Sequence, residues 1–252
     1  MPGLVALLTA RRTRRWLAGA TAAAAGLLLV LAGGARAAWP TAALPVDLPE
    51  VERARLQEVT EHVSVSARSR GETFRARGDV FEYMLDHPEF ATHVIRALGI
   101  GRYRIWREPD GLWLDDGAGA LVRFEVVYAA PGCRVFYMQG RYQPAVLPAI
   151  HGRVVAVFEY AVEPAGASKS LITPAMASFV RIDNAVYGVL ARVFTAIIAP
   201  RATKVTSRIV IDIARTANAF DSDPSRVEAV LLTRPDVPPR ELAEFRRLLA
   251  RR

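Results

Sequence analysis

Any chemistry in this chain would have to be built from four histidines, one cysteine and a few carboxylates. The histidines are His62, His87, His93 and His151; His87 and His93 fall on different faces of a continuous helix and make no metal-ligating pair. No His-Glu-X-X-His, paired Cys-X-X-Cys or Gly-X-Ser-X-Gly is present. Cys133 with His151 would supply a thiolate and its base, but a lone cysteine beside a turn reads as inert. Asp115-Asp116 in a Gly-containing stretch reads as turn chemistry before a cation site or an acid/base pair. Asp183-Asn184 stands where a strand hands over to a long helix and reads as that helix's N-cap. Arg141, Glu159 and Arg181 interrupt apolar strands, either to hold a head group inside or to face water. These residues form no catalytic constellation and call for no cofactor and no metal.

The elements that must position these residues follow from hydrophobic period. Pro40, Pro45 and Pro49 mark residues 38–59 as a linker containing a short polar helix over roughly 50–59. His62 to Arg68 alternates polar and apolar residues, as a strand with one buried face does. Two short helices then meet at Asp86-His87-Pro88, with apolar stripes Val80, Phe81, Met84, Leu85 and Phe90, Val94, Ile95, Leu98; Gly99 stops the second. Six strands are predicted at 102–107, 112–115, 120–129, 133–142, 152–163 and 170–182, separated by Pro/Asp/Gly turns, with the hairpin at Pro131-Gly132 the most distinct. After Asp183 the period becomes helical through Val186, Leu190, Val193 and Ile197. It resumes beyond Pro200, expected to kink or interrupt it, through Val205, Ile209 and Ile213, for a helical region of roughly 35 residues. Residues 221–252 form an extension ending in a short basic amphipathic helix.

The first 37 residues read as an export signal: Arg11, Arg12, Arg14 and Arg15, an apolar run from Trp16 to Leu31, and the small-residue site Ala35-Arg36-Ala37. Cleavage before Ala38 is expected, with retention of residues 16–34 as an inner-membrane anchor the rival. The mature chain is therefore placed in the periplasm or on a membrane facing it. Of the formal charge of +8, these residues hold five arginines and no acid, leaving +3 for the remainder. That small excess argues against a nucleic-acid partner and keeps a membrane surface in view. A single cysteine allows no intrachain disulfide, so a chain 52% hydrophobic must be held by its core.

The order strand, two short helices, six strands, long C-terminal helix resembles the helix-grip layout of the START-like superfamily, which includes polyketide cyclase-like (SRPBCC) proteins and lipid-transfer domains. Locally, Asp79-Val80-Phe81-Glu82-Tyr83-Met84-Leu85-Asp86-His87-Pro88-Glu89-Phe90 is similar to the superfamily's apolar helix followed by an Asp-X-Pro break. The fold class so implied is α+β: a curved antiparallel sheet of about seven strands on a long C-terminal helix, over residues 60–220. The export signal, the linker, the Pro144 to Pro148 interruption and the extension past Phe220 depart from the superfamily's usual cytosolic members.

The resemblance implies a cavity between sheet and helix that takes an apolar molecule or lipid. Phe124, Val126, Phe136, Met138, Phe158, Tyr160 and Met176 are the candidate lining, with Arg141 the candidate head-group contact. Three readings stay open. The first is an exported carrier; the second is a tethered interaction module with a solid core and a basic tail on lipid. The third is a cyclase or dehydratase, which would require Arg141, Glu159, His151 or Arg181 to point inward together with an acid.

Overall fold

A computed structural model describes residues 44–145, 148–166, 169–183 and 188–250, leaving out the side chains at 188–191 and 194. The expected export signal and its cleavage site lie outside the described residues, as does Asn184.

Helix α1 (Glu50–Glu61) leads to β1 (Val65–Arg70), a short β2 (Phe74–Ala76), α2 (Gly78–Asp86) and α3 (Pro88–Ala97). Then come β3 (Arg104–Glu108), β4 (Gly111–Asp115), β5 (Ala120–Ala130), β6 (Cys133–Tyr142), β7 (Ile150–Pro164) and β8 (Ser170–Ile182). The chain closes with α4 (Gly188–Ser222), α5 (Pro224–Leu232) and α6 (Pro239–Ala250). The strands form one antiparallel sheet in the order β1-β8-β7-β6-β5-β4-β3, with β2 also on β8. This is a helix-grip fold of the α+β class, with β2 the strand that sequence pattern does not reveal. At three residues, β2 is too short for alternation to register.

Local chemistry explains the joints. Pro88 occupies the first turn of α3, where its missing N–H costs nothing, and Gly99 ends the helical stretch with φ of 69°. Gly132, at φ 81°, makes the tight turn that sets β5 against β6 with Ala130 opposite Cys133. Pro200 does not divide α4, because it is exposed and water can reach the carbonyl that loses its N–H partner. Asp183 follows β8 directly and its carboxylate accepts from Arg153 at 2.8 and 3.0 Å; the rest of the expected N-cap, at 184–187, lies outside the described residues.

Both faces of the central strands are covered, which is why β7 and β8 are apolar on successive residues. On the inner face Ala156, Phe158, Tyr160, Ile172 and Met176 pack with Phe74, Phe81 and Val210. On the outer face Val135, Tyr137, Val155, Val157, Ala177 and Phe179 pack under α1 through Leu56 and Val59. The stretch read as a linker thus adds to the core from Leu48 onward, and Arg55 lies 4.4 Å above the Tyr137 ring. Likewise α6 is packed into the domain: Phe245 is fully buried, with its ring 4.9 Å from Phe220 and 5.0 Å from Phe90. Its apolar face is occupied internally, by Phe90, Phe220 and Leu231.

Candidate functional site

Between the inner face of the sheet, α3 and α4 lies a cavity of about 630 Å³, within the range of small-molecule sites. The sheet contributes Phe124, Phe136, Met138, Phe158 and Met176, five of the seven apolar candidates. Phe124 and Phe136 stack at 5.3 Å between ring centres. The interior is not solid, because α4 stands clear of β3–β6 where it closes against β1, β2 and β8.

The remaining candidates are placed elsewhere. Val126 shares the register parity of Phe124 but is 37% exposed beside a bulge, off the cavity wall. Tyr160 is buried in a polar cluster: its hydroxyl donates to Glu82 Oε1 at 2.6 Å and accepts from Arg134 at 3.2 Å. Arg134 also donates to Glu82 at 2.7 Å and Asp86 at 2.9 Å, tying α2 to β6 and β7. Burial, then the Glu82 hydrogen bond, push the Tyr160 phenol well above its ordinary range.

Arg141 is exposed and shares the outer-face parity of Tyr137, opposite His151, so it reaches no enclosed ligand. Glu159, His151 and Arg181 also lie on that outer parity; Arg181 donates to Glu58 at 2.7 Å. Alternation reverses the face at every residue, which is why Arg141, Glu159, His151 and Arg181, one position off the inward residues, point away from the cavity. Cys133 and His151 stand at opposite ends of the β6–β7 ladder, roughly 26 Å apart at strand rise. Burial first, and then Glu159, push the Cys133 thiol up to about 11, so it is not a thiolate at neutral pH.

The sequence reading missed the cavity's polar border. Helix α4 faces the cavity with Val205, Ile209 and Ile213, the stripe visible in the sequence, and among the described residues its lining runs over 201–216. Ile198 belongs to a separate cluster with Val65, Ile150 and Ile182. Along one edge of the same face run Arg201, Lys204 and Arg208; across the mouth stand Arg102 and the Asp116-Gly117-Ala118 turn. The Asp115-Asp116 pair does make that turn: Asp116 Oδ1 accepts from Ala118 and Ala120 N–H at 2.8 and 2.9 Å. Its Oδ2 is not left to solvent, however, but pairs with Arg201, whose guanidinium also lies 4.1 Å above the Tyr142 ring. The signal that could have found this border is the i, i+3, i+7 spacing of Arg201, Lys204 and Arg208 on α4.

Behind this border Asp212 is fully buried, its Oδ1 without a hydrogen-bond partner and its Oδ2 3.4 Å from Arg208 Nε. Burial raises its pKa against the opposing pull of Arg208 and Arg215. A carboxyl held above its unfolded value destabilises the fold once ionised. That cost is absent below about 3.8, grows as pH rises through the folded-state value, and is complete above it. Asp212→Asn is therefore expected to stabilise the protein at about pH 7 by on the order of 1 kcal/mol and to change nothing near pH 3. Thermal unfolding across that range reads the difference; a loss of stability at neutral pH would contradict it.

Among the described residues no group of three or more His, Cys, Asp or Glu side chains converges on a metal-sized site. No helix of the described residues is long and apolar enough to cross a membrane. No protein-family model and no curated protein matches the chain. Among solved structures, truncated norcoclaurine synthase from Thalictrum flavum is similar at 13% identity and a TM-score of 0.38, over 63% of this chain and 95% of that one.

Proposed function

We propose that this chain is an exported START-like protein that encloses an apolar molecule, such as a lipid, beneath α4 and carries it through water. The observation that supports this reading is the cavity of about 630 Å³ walled by Phe124, Phe136, Met138, Phe158, Met176 and Ile209. Apolar walls around so large a space lose packing contacts and gain them when an apolar ligand enters. Partial exposure of Phe136, Met138 and Ile209 leaves a path from solvent. A carrier of this kind needs neither nucleophile nor metal. The enzyme reading built on Arg141, Glu159, His151 and Arg181 loses its basis, since all four lie on the outer parity.

Organic extraction of the full-length protein purified from its native host, followed by mass spectrometry, tests the reading. One dominant apolar species near stoichiometry is expected; an extract no richer than that of a control protein would overturn it. Export is tested separately by N-terminal sequencing of the mature protein, with Ala38 the expected first residue and Met1 the contrary result.

A further inference from the structure

The border of the cavity carries four cationic side chains, Arg102, Arg201, Lys204 and Arg208, against one carboxylate, Asp116. A second carboxylate, Asp212, lies behind Arg208 and is buried away from the opening. Asp116 is taken up by Arg201, and Arg208 has a contact to Asp212 and donates to the Ile100 carbonyl at 3.1 Å. Arg102 and Lys204, both exposed, make no side-chain hydrogen bond or ion pair among the described residues. Two uncommitted cations and two partly committed ones thus ring the mouth of an apolar cavity. Elsewhere on the surface, arginines pair with carboxylates across the outer face, as Arg153 and Arg181 do with Glu58.

We infer that the ligand is an anionic amphiphile: an apolar chain lodged against Phe124, Phe136 and Phe158, with a carboxylate or phosphate head held at the mouth by Arg102, Lys204 and Arg208. This rests on the proposed enclosure of an apolar molecule and adds the chemistry of its head. The arrangement suits that class because the apolar wall and the cationic border meet along a single helix. Val205 and Ile209 face the chain; each directly follows Lys204 or Arg208, about 100° round the helix, and those two face the head. An anion at this half-exposed mouth forms charge-assisted hydrogen bonds, stronger than those between neutral groups, while a cationic head would meet four like charges. A neutral head would leave Arg102 and Lys204 where they already are, in water, and would gain nothing from them.

Calorimetric titration of the full-length protein with twelve-carbon chains that differ only in the head tests this, using dodecanoate, dodecyl phosphate, dodecanol and dodecyltrimethylammonium below their aggregation limits. Either or both of the first two are expected to bind at least about ten-fold tighter than dodecanol, with the trimethylammonium weakest. Which anion binds better distinguishes a carboxylate head from a phosphate head. The double variant Arg102→Gln/Lys204→Gln, at two exposed positions, is expected to reduce the anion preference to about two-fold or less and leave dodecanol binding unchanged. Raising salt from about 50 to about 500 mM is expected to weaken the anionic chains selectively. If dodecanol binds as tightly as both anions, or the double variant keeps the full preference, the head-group inference fails and enclosure stands. If inorganic phosphate or acetate alone binds as tightly as the chain that carries it, the mouth is an anion site unrelated to an amphiphile, and the inference again fails. If none of the four chains binds, enclosure fails and takes this inference with it.

Discussion

Arg134→Ala is expected to destabilise the fold by about 3 kcal/mol, read as a lowered urea midpoint at an unchanged slope. The side chain is 6% exposed and is the shared donor to Glu82, Asp86 and the Tyr160 hydroxyl. Removing it leaves two carboxylates and a phenol facing one another at the joint where α2 meets β6 and β7. Breaking a buried ion pair costs about 3–5 kcal/mol when the surviving charge cannot be hydrated. Here Glu82 and Asp86 are 36% and 53% exposed, so water recovers part of the loss and the lower end applies. The companion variant Arg134→Met/Glu82→Gln separates charge from packing, because it fills the space and removes one orphaned carboxylate. It is expected to regain at least half of the loss. A single-variant cost under about 1 kcal/mol would mean that the cluster holds α2 only weakly.

The second large effect is expected at Phe158, 1% exposed, with its ring 6.4 Å from Phe81 and 5.7 Å from Tyr160. Phe158→Ala should cost about 3–5 kcal/mol, from lost transfer free energy and from the space left behind. It sits on the wall of an existing cavity, so the deletion enlarges that space and the flanking β7 backbone has no means of collapsing into it. Phe158→Leu, closer in volume, should cost less than half as much. A ligand that binds only the folded protein stabilises it by mass action. Adding a bulkier apolar chain should therefore recover more midpoint in Phe158→Ala than in the parent, and equal recovery in both would show that the ligand does not touch this wall.

Much of the fold was readable from period and punctuation. The strands predicted at 133–142 and 170–182 match β6 and β8 end for end, because turn residues bound both segments. The break at His87-Pro88 is where Pro88 permits a helix to start but not to continue. Harder to read was what each face meets. The polar α1 buries only Leu56 and Val59, too few to distinguish a docked helix from a solvated one, yet they pack into the outer-face cluster with Val135, Val155, Val157 and Ala177. The amphipathic α6 carried a stripe whose destination a sequence leaves undefined; Phe90 and Phe220 receive it.

The candidate site divides along the same line. Alternation of two residues and a helical repeat of 3.6 determine which side chains share a face, so Phe124, Phe136, Met138, Phe158 and Met176 were identifiable together, as was the Val205, Ile209, Ile213 stripe. These are local properties of a chain, fixed by backbone geometry before any long-range contact forms. Which face turns inward, and what lies across from it, depends on contacts between residues a hundred positions apart. That choice put Arg141 and Arg181 outside, spent Tyr160 on Glu82 and Arg134, and brought Arg102 and Asp116 opposite Arg201, Lys204 and Arg208. The sequence by itself determined an apolar interior and a helix to cover it. Only the tertiary structure decided that the cover stands away from β3–β6 along 201–216 and that the opening there is rimmed by cations.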